Sequence, residues 1–314
     1  MRWLRRIVLT LTLLVLAGVA LPPVFFAVVP PEKSELPPPG RRLAVGDDLT
    51  VNAVVRGDGP PVVMVHGLPG SGYDWAPLTE ALVARGHEVI AYDRVGYGRS
   101  DPRPEGQPFT PGANARELVE LLERQDLRDV SVVGWSYGGP ISIEAALLDG
   151  SRIARLVLLG TGGPSDEMSE PPDPPGAVAG AILRWVGAVP PAAAALRRTA
   201  SEVAFSGQPL PDWWLPLVGA NFDAPHTRQT WVAETTGLGS LEGEFRVGDV
   251  AMPILLLHGD DDRLAPLGAS RWIEARAVDA ELVVVPGASH MLPITHSDLV
   301  AEQIAAFARG DASP

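Results

Sequence analysis

The sequence predicts an α/β fold: a mostly parallel central sheet flanked by helices, with a helical insertion. Three observations predict it. Short continuous apolar runs, VVMV (62–65), VSVVGW (130–135) and PILLLHG (253–259), read as strands buried on both faces. Stretches with apolar residues at helical spacing alternate with them, the pattern of βα units. The rhythm then lapses between 164 and 250, and about 85 residues is too long for an ordinary loop. Hydrophobic residues are 46% of the 314, enough to fill a sizeable core, which excludes a disordered chain.

Residues 1–30 stand apart. Arg2, Arg5 and Arg6 precede an uncharged run from Ile7 to Val29. A helix of that length spans a ~30 Å hydrocarbon core. Basic residues before it favour N-terminus in, remainder out. The segment is expected to be an uncleaved membrane anchor, because apolar sequence continues past Ala20. Cleavage after the small residues Gly18-Val19-Ala20 would instead make it a signal peptide and the protein secreted. Either way the remaining domain is expected outside the cytoplasm. Residues 31–42 are a Pro-rich linker, extended and semi-rigid.

The core is expected at 43–163 and 251–310. Residues 43–56 read as a hairpin around Gly46-Asp47-Asp48. VVMV ends in a glycine-dense loop, His66 to Gly72. Then follow a helix over 75–86, a strand over 88–93, a helix over 111–125 and the strand 130–135. Ile141–Leu148 is a helix and 153–160 a strand. After the insertion come the strand 253–259, a helix over Gly268–Ala277, a strand over 281–287 and a helix over Asp298–Ala308. The insertion, 164–250, is rich in Pro, Ala and Trp and is expected to be helical.

Composition narrows the chemistry. Lys+Arg is 25 against Asp+Glu 38, a formal charge of −13. Such a surface repels phosphate backbones, and no basic stripe offsets it, so nucleic acid is excluded as a partner. Cysteine is absent, which excludes disulfides, thiolate catalysis and Cys-ligated zinc. A small-molecule substrate is the expected partner.

Gly134-Trp135-Ser136-Tyr137-Gly138 matches G-x-S-x-G. The motif alone is weak. Here it follows an apolar strand and leads into a helix, which is its confirming context. A reversal this tight strains the serine backbone, requires small neighbours and pushes Oγ into the open. Pro140 suits the first helical turn, where no N–H is needed. The bland alternative is a glycine-rich turn that only starts a helix. Serine needs a base. Of six histidines, His290 is the best placed, in the loop after the last strand. His66, His87, His226, His258 and His296 read as structural. The base needs an orienting acid. Asp260, Asp261 and Asp262 follow another strand end, and spacing does not choose among them. An oxyanion needs N–H donors. The Tyr137 N–H is one, and the His66–Gly72 loop should supply the second.

These features together resemble the α/β-hydrolase fold family. VHGLPGSG, YDRVGYGRSD, GWSYGG, and the pair HGDDDRLAP with GASHMLP carry the likeness, over about 43 to 308. The resemblance implies Ser136 as nucleophile, His290 as base and Asp262 as orienting acid. It implies the N–H groups of Leu68 and Tyr137 as oxyanion hole, and residues 164–250 as a helical cap over the active site. No metal or organic cofactor is implied. The expected reaction is hydrolysis of a carboxylic ester of a small, apolar substrate through an acyl-enzyme. Similar triads serve proline iminopeptidases, carbon–carbon bond hydrolases and cofactor-free haloperoxidases. An aminopeptidase would need acidic groups such as Glu202, Asp223, Glu234, Glu242 or Glu244 for the substrate's ammonium. Trp213, Trp214, Trp231 and Phe222 would line an apolar pocket or pack the cap. A non-catalytic receptor or scaffold on the same fold is the reading from another class.

Overall fold

The computed structural model describes residues 35–164, 189–236 and 245–310. The expected membrane anchor lies outside the described residues, as do parts of the insertion.

Eight strands form one sheet: β1 (Arg41–Ala44), β2 (Thr50–Arg56), β3 (Pro61–Val65), β4 (Glu88–Tyr92), β5 (Val130–Trp135), β6 (Ile153–Leu159), β7 (Ile254–Gly259) and β8 (Ala280–Val285). Their order is β1-β2-β4-β3-β5-β6-β7-β8. The expected hairpin is present, with Leu43 opposite Val51, and β2 joins β4 antiparallel. From β4 to β8 every pairing is parallel. The crossovers are helical, as parallel neighbours require. The described helices of eight residues or more are α1 (Ala76–Val83), α2 (Pro111–Arg124), α3 (Gly138–Asp149), α4 (Pro190–Ala204), α5 (Trp214–Asp223), α6 (Pro225–Thr236), α7 (Leu267–Glu274) and α8 (Ser297–Arg309).

Strand alternation divides the core into two layers. Val63 and Val65 of β3 face a layer built with Leu118, Leu121 and Leu122 of α2 and Ile141 of α3. Val62 and Met64 face the opposite layer, with Leu78 and Leu82 of α1 and Val300 and Ile304 of α8. This is the period of two, sheathed on both faces. Strand ends agree with the sequence reading to within about two residues, the ordinary uncertainty of such boundaries. Three helix ends differ more. α1 ends at Val83, not Gly86, because the Arg85 and Gly86 N–H groups donate three residues back, to Leu82 and Val83 O, and close the helix in a turn. α3 begins at Gly138, not Ile141, because glycines whose low helix propensity hides the boundary are already helical. α7 ends at Glu274, not Ala277; Arg276 and Ala277 both donate to Ile273 O, a closing turn that keeps the periodicity without extending the helix.

The described part of the insertion carries α4, α5 and α6 and no strand. Its aromatics pack these helices together. Phe205 meets Trp214 edge-on at 5.6 Å, and the Trp214 indole N–H donates to Ser201 Oγ at 2.9 Å. Phe222 meets Trp231 edge-on at 5.3 Å, joining α5 to α6. Asn221 seats α5 on the core, accepting from the Gly98 N–H at 3.0 Å and donating to Gly70 O at 2.8 Å.

Candidate active site

Ser136 sits between β5 and α3 with φ at +54°, the left-handed region that non-glycine residues rarely occupy. Hydrogen bonds on both sides hold it there. Its N–H donates to Leu159 O at 2.9 Å, and its carbonyl accepts from Gly139 and Gly162 at 3.0 and 3.1 Å. The small residues of the motif have a steric cause. A Cβ on Gly138 would stand 2.1 Å from Val65 O, so β3 and the start of α3 approach closer than any side chain allows. Pro140 is the third residue of α3, inside the first turn.

His290 lies in the loop after β8 and is buried. Its Nδ1 is 2.7 Å from Asp262 Oδ2. The other carboxylate oxygen accepts from the N–H groups of Leu264 and Ala265 at 2.9 and 2.8 Å. Burial raises the Asp262 pKa, but the hydrogen bonds from His258 and His290 and the Ala265 N–H outweigh it, and the carboxyl is held well below its usual range. An ionised Asp262 accepts the Nδ1 proton and leaves His290 Nε2 as the acceptor, a tautomer assigned from this network. Asp260 Oδ1 instead takes the Gly287 N–H at 2.6 Å, and Asp261 pairs with Arg263 at 3.1 Å. Of the three strand-end carboxylates that spacing left open, Asp262 is the one that meets His290.

The loop after β3 closes over the serine. A Cβ built on Gly67 would stand 2.9 Å from Ser136 Cβ and 3.5 Å from its Oγ. The N–H groups of Leu68 and Tyr137 donate to no described residue. Ser136 Oγ likewise makes no hydrogen bond with a described residue; such contacts often tighten only with substrate present. The Trp135 indole N–H donates to His290 O at 2.9 Å, tying the residue before the serine to the histidine loop.

The remaining histidines have structural partners. His66 Nε2 accepts the Arg94 N–H at 3.0 Å; burial and the Arg94 charge push its pKa well down. His258 is more than a core histidine. Its Nε2 is 3.1 Å from Ala265 O and 3.4 Å from Asp262 Oδ2, while Nδ1 is 2.8 Å from Ser270 Oγ. His87 and His226 lie against the Pro60 and Gly98 carbonyls, and His296 against Thr295 Oγ1.

A second polar cluster lies against the loop after β3. Arg94, 1% exposed, pairs with Glu234 of α6, wholly buried, through bonds of 2.7 and 3.0 Å. Tyr97 Oη and Asn114 Nδ2 also donate to Glu234, at 2.7 and 3.0 Å. Burial favours neutral Glu234, but Arg94 and these donors reverse it and hold the carboxyl below its usual range. Glu234 is therefore spent on Arg94 and not open to a substrate's ammonium. Sequence reasoning missed this pair. Arg94 stood in the YDRVGYGRSD stretch, but nothing local shows that its partner comes 140 residues later.

Among the described residues, no group of three His, Asp or Glu side chains is placed to hold a metal ion. A cavity of about 540 Å³ opens between α4 and α5, lined by Arg197, Leu210, Asp212 and Leu215 among others; Ser136 and His290 do not line it.

Residues 60–297 match the family described as alpha/beta hydrolase fold. Among curated proteins, the chain is 29% identical over 249 residues to the 2-hydroxy-6-oxononadienedioate/2-hydroxy-6-oxononatrienedioate hydrolase of Paraburkholderia xenovorans strain LB400, covering 76% of this chain and 82% of that one. It is 29% identical to a non-heme haloperoxidase of Rhodococcus erythropolis, covering 80% and 93%. Among solved structures, an esterase from Exiguobacterium antarcticum superposes with a TM-score of 0.70 at 20% identity, over 86% of this chain and 99% of that one. At that identity the likeness is one of fold.

Proposed function

This chain belongs to the alpha/beta hydrolase fold family, and we propose from that premise that it is a serine hydrolase cleaving a carboxylic ester, or a related acyl bond, of a small apolar substrate. The observation that carries the reading is the 2.7 Å contact between His290 Nδ1 and Asp262 Oδ2, at strand ends shared with the strained Ser136. Ser136 Oγ attacks the carbonyl carbon as His290 Nε2 takes its proton. Asp262 stabilises the imidazolium without itself being protonated. The N–H groups of Leu68 and Tyr137 receive the tetrahedral oxyanion, each worth about 3 kcal/mol. His290 returns the proton to the leaving alkoxide, then activates water to release the acid. The insertion acts as a cap over this site, a reading supported in its described part by the contact of Glu234 on α6 with Arg94 of the core.

The test compares wild type and Ser136→Ala on p-nitrophenyl esters of graded acyl length. The variant should lose kcat by about 10⁶-fold, as residues acting as a unit do. An active Ser136→Ala would end this reading. A second reading is hydrolysis of a carbon–carbon bond in a 2-hydroxy-6-oxo-dienoate, and it draws support from the named substrate of the Paraburkholderia relative. The same three residues serve it. A dienoate consumed with kcat/KM well above that of every ester tried would favour it. The basic-then-apolar N-terminus supports a domain delivered outside the cytoplasm. Protease accessibility in intact cells tests this, and a domain shielded there would overturn it.

A further inference from the structure

We propose that Arg94 and Glu234 are positioning residues for the oxyanion-binding N–H of Leu68, so that the cap, which supplies Glu234, sets the strength of the oxyanion hole. The inference rests on the proposed function, which gives Leu68 that role.

Arg94 does more than pair with a carboxylate. Its Nη2 donates to Gly67 O at 3.0 Å, and His66 Nδ1 lies 2.9 Å from the same oxygen. Gly67 O and Leu68 N belong to one planar peptide, and that peptide is trans. Its C=O and N–H therefore point in opposite directions. Anchoring the oxygen on the guanidinium fixes the Leu68 N–H facing away from it. The loop so oriented lies against Ser136, since a Cβ on Gly67 would stand 3.5 Å from Ser136 Oγ. A cation at the carbonyl also polarises the peptide and makes its N–H a stronger donor. The same guanidinium sits 5.3 Å from the ring centroid of Tyr137, the other residue proposed as an oxyanion donor.

What holds Arg94 is Glu234. The bidentate pair fixes the plane of the guanidinium, and Tyr97 and Asn114 fix the carboxylate. Glu234 rides on α6, inside the insertion, whereas Arg94 and Gly67 belong to the core. A pair that only fastened the cap would need no bond to Gly67. Here one arginine joins the cap's carboxylate to the carbonyl behind the oxyanion donor.

Removing one charge alone leaves the other buried and unpaired, which is strongly destabilising. The test is therefore the full chain carrying Arg94→Met with Glu234→Met, read by kcat and KM on the best ester and by Ki for an alkyl boronic acid that mimics the tetrahedral adduct. The expected result is a kcat about tenfold lower or more, a boronate Ki weakened by a similar factor, and KM within about twofold of wild type. A fluorophosphonate probe should still label Ser136 to full stoichiometry. Arg94→Lys, which keeps a cation near Gly67 O, should retain more kcat than the double variant. A folded double variant with wild-type kcat and Ki overturns the inference, because a merely structural pair would leave both unmoved. Should the double variant not fold, Arg94→Lys, which keeps both charges but loses the planar fork on Gly67 O, serves with the same readouts: kcat and boronate affinity should fall together about threefold, and no change in either overturns the inference. A wild type that neither turns over nor labels overturns the proposed function and this inference with it. An active wild type with an unmoved double variant overturns only the inference.

Discussion

Trp135 donates its indole N–H to the carbonyl oxygen of His290 at 2.9 Å, so the residue before the proposed nucleophile holds the residue proposed as base. Both side chains are buried, and the two rings lie 5.8 Å apart. Trp135→Phe keeps most of the packing and leaves the His290 carbonyl without this donor. A buried acceptor so deprived costs about 1–3 kcal/mol. The urea midpoint should fall accordingly, and kcat with it, because the histidine loop loses its tie to the strand that carries Ser136. A variant with an unchanged midpoint would show that the bond carries no net weight.

Asp262 makes two distinct demands on the fold, one oxygen for His290 and one for the Leu264 and Ala265 N–H groups. Asp262→Asn preserves shape but presents an amide that cannot both accept the Nδ1 proton and take those N–H groups. A loss of kcat near 10⁴-fold is expected, from the wrong histidine tautomer. Far-ultraviolet circular dichroism should stay native. Activity within tenfold of wild type would move the orienting role elsewhere.

Gly67→Ala tests how closely the loop after β3 lies on the serine. The new Cβ would meet Ser136 Cβ at 2.9 Å and Trp135 O at 3.1 Å, so the loop must retreat. A shift of that kind displaces the Leu68 N–H and should lower kcat by roughly 10- to 100-fold. Steady-state kinetics on the same ester measure it. A wild-type rate would mean the loop moves freely without consequence for the site.

Asp74 carries a pH dependence of stability. It is buried against Ser71, accepting from its N–H and Oγ, each at 2.9 Å. Burial outweighs those bonds, with Asp93 adding to it, and pushes the carboxyl up to about 7. The unfolded value is about 4. Between those values the native state holds more protons than the unfolded chain, so stability falls as pH rises. The contribution is fully present below about pH 4 and lost as pH passes about 7. Asp74→Asn removes it. Wild type should therefore lose about 4 kcal/mol relative to the variant between pH 4 and 8, at ~1.4 kcal/mol per pKa unit. Urea denaturation of both proteins across that range measures the difference, and a flat difference would refute the assignment.

The sequence by itself determined the sheet, its flanking helices and the turn that presents Ser136. Those features follow from local patterns: apolar runs for buried strands, 3.6-residue spacing for helices, and small residues where a strand reverses into a helix. The order of three strand-end loops also placed Ser136, Asp262 and His290 as candidates, with Asp262 named from the resemblance because spacing left three carboxylates open. Only the tertiary structure separated those three, since Asp260 and Asp261 meet Gly287 and Arg263 while Asp262 alone meets His290. It also turned His258 from an ordinary core histidine into a neighbour of Asp262, and Glu234 from one cap carboxylate among several into the counter-ion of Arg94. The physical reason is range. Backbone propensity and side-chain periodicity act over a few residues and are written along the chain. A hydrogen bond between residues 140 apart exists only once packing has brought their elements together and removed the water that would otherwise satisfy them.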